Sequence, residues 1–71
     1  MEYIISLTWD DEARVWIAES QELPGLILES TSLDTLMEKV KIAVPELLEA
    51  GGSVHDAINM RFVMERQAVV A

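Results

Sequence analysis

Leu23-Pro24-Gly25-Leu26-Ile27-Leu28-Glu29, followed directly by the amphipathic run Ser32 to Gly51, is the stretch that decides the architecture. Proline fixes φ and biases Leu23 to an extended conformation, and Gly25 is suited to the positive φ of a type II turn, so Leu23-Pro24-Gly25 is a corner. Leu26-Ile27-Leu28-Glu29 is then a short strand. Ser32 is a good N-cap, its hydroxyl accepting from a first-turn amide, and Asp34 sits near the positive end of the helix dipole. Leu33, Leu36, Met37, Val40, Val44, Leu47 and Leu48 form one stripe at the helical period, whereas Asp34, Thr35, Glu38, Lys39, Glu46 and Glu49 face away. One side of this helix covers a sheet. Pro45 interrupts the run, removing the hydrogen bond to the Lys41 carbonyl, and predicts a kink or a fresh last turn. Ile42 lies on the polar side, where with the Pro45 ring it makes a small apolar spot. Gly51-Gly52 ends the helix through the left-handed conformation that glycine adopts cheaply.

Working outward, Glu2 to Trp9 alternates, with Tyr3, Ile5, Leu7 and Trp9 on one face and Ile4, Ser6 and Thr8 on the other. Asp10-Asp11-Glu12-Ala13-Arg14 is a polar turn, and Val15 to Ser20 resumes the alternation, so the two segments make a hairpin with Trp9 and Trp16 flanking its turn. After the helix, Ile58, Met60, Phe62 and Met64 alternate with Asn59, Arg61, Val63 and Glu65 as a last strand, which the tail Ala68-Val69-Val70 continues or frays from. The order is β-β-β-α-β: an antiparallel three-strand meander plus a fourth strand, with one helix packed on one sheet face, an α+β class. The far face has no helix to cover it. Ile4, Trp16, Ala18, Ile27 and Val63 are assigned there, an apolar patch that a monomer rarely leaves exposed and the expected oligomer face.

Composition bounds the function. Residues 1–71 make a single domain, and a chain so short is marginally stable unless something supplements its core. There is no cysteine, so neither a disulfide nor a thiolate metal site contributes, and oligomerisation is the expected supplement. The start Met1-Glu2-Tyr3-Ile4 lacks the basic and apolar regions of a secretion signal, which makes a cytoplasmic location the default, and no apolar run is long enough for a membrane span. Thirteen acidic residues against five basic ones give a net charge of −8. Nucleic acid repels such a surface, whereas a basic protein is attracted to it; the charge also keeps an apolar little domain in solution.

Catalytic chemistry is not expected. Hydrolysis or group transfer needs a base beside a nucleophile, or clustered metal ligands, and the chain has one histidine. His55 lies in the loop Gly51 to Asp56 and reads as a surface residue. Asp10-Asp11-Glu12 lacks the spacing and glycine of a calcium loop and reads as turn-forming. Neither a cofactor nor a metal is expected.

The opening strand Tyr3 to Leu7, the acidic turn Asp10 to Glu12, Trp16-Ile17-Ala18, the corner Leu23-Pro24-Gly25 and the capped start Ser32-Leu33-Asp34-Thr35-Leu36 together resemble the N-terminal domain of HicB-type antitoxins, in particular the short single-domain HicB-related proteins. The resemblance covers most of the first fifty residues. It implies a pared-down relative of the ribonuclease H fold without catalytic carboxylates. It also implies a protein that binds a small basic ribonuclease toxin, covers its catalytic site and forms a homo-oligomer. Longer antitoxins of that family carry a DNA-binding module after the domain. No such module occurs before Ala71, so autoregulation through DNA is not part of this expectation, and the acidic charge leads to no direct nucleic-acid binding being expected. On this reading the contacts for a basic partner are Asp34, Glu38 and Glu49 on the outer helix face and Asp10, Asp11 and Glu12 in the hairpin turn. The alternative is a stand-alone oligomeric or small-ligand-binding module with no toxin partner.

Overall fold

Alternation over the first residues becomes β1 (Glu2–Asp10), which pairs antiparallel with β2 (Val15–Glu19) in the computed structural model, where residues 2–50 and 58–70 are described. The turn between them is built by Asp10: its Oδ1 accepts from the backbone N–H groups of Glu12 and Ala13, each at 3.1 Å, and its carbonyl accepts from the Arg14 N–H at 2.7 Å. An aspartate bonding forward to its own backbone replaces the ladder bonds that the reversing chain gives up. Arg14 closes the loop in the left-handed region at φ 62°. The loop sets the register, placing Trp9 opposite Trp16 and Leu7 opposite Ala18. The two indoles meet edge to face, with centroids 5.4 Å apart.

That register corrects one expectation. Trp16 and Ala18 do not belong to the open face; they share a face with Leu7 and Trp9 and are buried beneath the helix. Directly opposed residues in an antiparallel pair point to the same side, so a phase error of one residue in β2 moves both side chains across the sheet.

A second correction concerns the corner. Leu26 N–H donates to the Leu23 carbonyl at 2.9 Å, closing a turn over Pro24 and Gly25, but Gly25 is not in the left-handed region. A type I turn accepts proline at its first central position and makes no demand for glycine at the second. Nor does packing demand a glycine there: a Cβ at Gly25 would meet Leu47 Cδ2 at 3.4 Å, an ordinary contact with the end of a flexible side chain. Leu23 and Leu26 both turn into the core, so the third strand, β3 (Ile27–Ser30), begins one residue later than the alternation suggests.

β3 pairs antiparallel with β2, and the helix α1 (Leu33–Ala50) follows it. Ser32 caps it as expected, Oγ accepting from Thr35 N–H at 3.3 Å and the Ser32 carbonyl from Leu36 N–H at 3.0 Å. The helix runs through Pro45. Leu36, Val40, Val44 and Leu48 are its buried stripe and pack with Ile5, Leu7, Trp16, Ala18, Leu23 and Leu26 into one core. Each fully buried valine, leucine or isoleucine among them contributes about 1.5–3 kcal/mol against the entropy of ordering so short a chain. Gly51-Gly52 and His55 lie outside the described residues. β4 (Asn59–Glu65) then pairs parallel with β1 along its whole length, from Glu2 opposite Asn59 to Thr8 opposite Glu65. The crossover thus delivers the last strand past two others, giving a mixed sheet in the order β3-β2-β1-β4. The fold is α+β, with one helix against one face of a four-stranded sheet.

Candidate functional site

Two surfaces compete for the role of site. The first is the sheet face turned away from α1. By register, Ser6 stands beside Glu19 and Val63, Thr8 beside Ile17 and Glu65, Ile4 beside Arg61, Glu19 beside Ile27 and Ile17 beside Glu29. Ile4, Ile27 and Val63, three of the residues assigned to this face from sequence, are there and exposed, Ile27 to 70%. With half-buried Ile17 they make an apolar strip across the sheet, and Glu19, Glu29 and Glu65 stand around it with Arg61 as the one cation on the strand positions of this face. Among the described residues no element packs over it.

One end of this face is organised by Glu22. Where β2 stops short of the start of β1, the Glu22 Oε1 accepts from the otherwise unpaired Ile4 N–H at 3.0 Å and from the buried Ser20 hydroxyl at 3.1 Å. A carboxylate here takes the place of a missing strand residue, holding the loop against the sheet edge. Beside it lies a shallow depression of about 400 Å³ lined by Ser6, Thr8, Glu19, Ser20, Gln21 and Pro24.

The second surface is the set of acids chosen from sequence. Asp10 and Asp11 are engaged locally: Asp10 holds the turn, and the Asp11 Oδ1 accepts from Trp9 Nε1 and from an Arg14 nitrogen, both at 3.2 Å. Glu12 is exposed beside them. Asp34, Glu38 and Glu49 are exposed on the outer side of α1, and Glu38 pairs with Lys41 at 3.1 Å. The structure brings the turn and the start of α1 to the same end of the molecule, because β3 ends opposite Trp16. Glu49 is separated from Asp34 by most of the helix, about 22 Å at 1.5 Å per residue, so the six do not form one patch. They also lie on the other side of the sheet from the apolar strip, except for the turn at its end. The acids that surround the strip, Glu19, Glu29 and Glu65, are absent from the sequence-based choice: the register places them on this face, and no pattern in the sequence marks them as the border of a site.

At the same end, Arg66, just past β4, lies over the Trp9 ring at 4.3 Å and near Trp16 at 5.7 Å, while Arg14 lies over Trp9 at 5.6 Å. These cation–π contacts tie the chain after β4 to the hairpin. Among the described residues no three of His, Cys, Asp and Glu gather to hold a metal ion, and no helix is long and apolar enough to cross a membrane.

The fold and this face define a class: small α+β domains whose mixed sheet is covered by a helix on one side and bears an acid-flanked apolar strip on the other. The chain belongs to the family described as a domain of unknown function, DUF1902, whose model matches residues 2–71. It is similar to the hypothetical protein TTHA1013 of the extremely thermophilic bacterium Thermus thermophilus, whose crystal structure aligns with a TM-score of 0.82 at 37% identity, covering 99% of this chain and 100% of that one. No curated protein matches it.

Proposed function

We propose that this protein is an antitoxin-like, HicB-related binding protein of the cytoplasm that neutralises a small basic ribonuclease by covering its RNA-binding surface. The reading rests on the resemblance of the strand, corner and cap segments to HicB-type antitoxins, and one structural observation carries it furthest: the uncovered sheet face combines an apolar strip with a surplus of glutamates. A basic nuclease holds RNA through Lys and Arg, and an acidic surface competes for those same side chains. The apolar strip supplies the desolvated centre, and the glutamates supply the charged rim that speeds encounter and fixes orientation. No step of this role needs catalysis by the chain itself.

The test is capture of partners by the tagged protein from its own host, followed by reconstitution. Recovery of a small basic protein whose RNA cleavage the purified chain inhibits one to one supports the reading. Absence of such a protein, or a captured ribonuclease that cleaves equally well in its presence, sinks it. A second reading, a stand-alone oligomeric or small-ligand module with no toxin partner, is favoured by the shallow depression between Ser6 and Pro24.

A further inference from the structure

The two edges of the sheet differ. β3 is short, Ile27–Ser30, and one of its carbonyls is already taken, Glu29 O accepting from Lys39 Nζ at 3.3 Å. β4 is a full-length strand, Asn59–Glu65, and among the described residues no side chain bonds to its backbone. It also lacks proline and inward charge. Natural sheets seldom leave such an edge unprotected, because its free N–H and C=O groups form a template for another strand. The side chains of β4 on the helix side are incompletely covered as well: Met60 and Phe62 are half-buried and Met64 is 57% exposed.

We infer that the β4 edge is a homodimer interface, in which β4 pairs antiparallel with β4 of a second copy about a two-fold axis at Val63. The choice of occupant and of register follows from charge. With the axis at Val63, Arg61 of each copy stands directly opposite Glu65 of the other, so two ion pairs flank a Val63–Val63 contact on the open face. On the helix side, Phe62 faces Met64 of the other copy, twice. An axis at Arg61 opposes two like charges, and an axis at Phe62 leaves Arg61 opposite valine and Glu65 opposite Asn59. Of these three registers, only the one at Val63 sets opposite charges together and apolar side chains together from Arg61 to Glu65, the arrangement that cross-strand pairing rewards; it places Met60 opposite Arg66, which already lies over Trp9. The same register places the exposed residues after the strand to use, with Gln67 opposite Asn59 and Ala68 opposite Ile58. Two four-stranded sheets then join into one continuous sheet with both helices on the same side. This inference does not depend on the ribonuclease reading: it rests on the free backbone edge of β4 and the order of its side chains, although Arg61, Val63 and Glu65 also border the open face.

The natural chain has no cysteine, so an introduced thiol reports on its own position alone. Directly opposed residues of an antiparallel pair lie about 4.5–5.5 Å apart at Cα, within disulfide reach. Val63→Cys is expected to form a covalent dimer under mild oxidation, whereas Arg61→Cys and Glu65→Cys form one only when mixed with each other. Sedimentation supplies the second readout. Arg61→Glu alone is expected to weaken the dimer at least about tenfold, and Arg61→Glu with Glu65→Arg to restore it. Both side chains are exposed, and circular dichroism checks that each variant folds. A monomeric parent chain, cross-linking that favours Ile27→Cys over Val63→Cys, or a dimer indifferent to the single charge reversal overturns the proposal.

Discussion

Arg14 and Gly25 exchange the roles that their residue types suggest. Arg14 holds the left-handed conformation at φ 62°, which costs an L-residue about 1–2 kcal/mol, while Gly25 stands where that freedom is not used. Arg14 is compensated in part by its exposed pair with Asp11 and by its position over Trp9, contacts worth about 0.5–1 kcal/mol each at best. Arg14→Ala should therefore lose those contacts and keep the strain, whereas Arg14→Gly loses the contacts and releases it. In urea denaturation the glycine variant is expected to be the more stable of the two by about 1 kcal/mol, the reverse of the usual order. Equal stabilities would mean that the loop relaxes out of the left-handed region. Gly25→Ala is expected to raise stability by about 0.5 kcal/mol, because its φ suits alanine and the new methyl meets only the end of the Leu47 side chain. A loss above about 1 kcal/mol would show that Leu47 cannot give way in the core.

At the scale of elements, α1 makes the tertiary structure possible and also carries its clearest local conflict. Ser32 satisfies the Thr35 amide, and Ser32→Ala is expected to cost about 1 kcal/mol. Pro45 leaves the Lys41 carbonyl without its partner in the next turn, so Pro45→Ala should stabilise the fold by about 1–3 kcal/mol, read as a higher thermal midpoint at unchanged secondary structure. A lower midpoint would instead assign the half-buried proline ring a packing role that outweighs the missing bond. The same element shows why so much of the fold is legible in the sequence: the serine cap and the stripe Leu36, Val40, Val44 and Leu48 are local signals with a fixed period. The alternation of β1 and β4 is legible for the same reason. The phase of β2 is not, because it depends on how the residues between Asp10 and Val15 close, and that turn uses an arginine where glycine or asparagine would have announced a left-handed residue. Trp16 and Ala18 lie on the helix side rather than the open side on that account. Ile4, Ile27 and Val63 of the candidate face are readable, but the glutamates around them are not, since a charged residue on a strand has the same pattern whether it borders a site or merely faces solvent. The position of β4 beside β1 is likewise a non-local property of the crossover, without a signature in any one segment.

For the molecule as a whole, part of the net charge of −8 lies on two opposed surfaces, and a single basic partner cannot engage both. The outer helix face carries Asp34, Glu38 and Glu49 but also Lys39 and Lys41, and Lys41 already pairs with Glu38. The open sheet face sets Glu19, Glu29 and Glu65 against Arg61, alongside exposed Ile4, Ile27 and Val63. The second surface joins acidic charge to the larger apolar area, where the outer helix face offers only Ile42, and affinity needs both: charge governs the rate of encounter, while desolvated apolar contact governs residence. The chain is also extended for its size, with a radius of gyration of 13.3 Å where a compact domain of this length would have about 11 Å, and Val69 and Val70 stand almost fully exposed beyond β4. Against a basic ribonuclease partner, Glu19→Lys with Glu29→Lys is expected to lower the association rate at least about tenfold at low salt and to flatten its dependence on ionic strength. Asp34→Lys with Glu38→Lys makes the same change in net charge on the helix face and should alter the rate far less. Stopped-flow or surface-binding kinetics across a salt series separate the two surfaces, since a general charge effect would slow both pairs alike. If the helix pair proves the slower one, the partner docks on the outer face of α1, and the open sheet face must be assigned to something other than the basic partner.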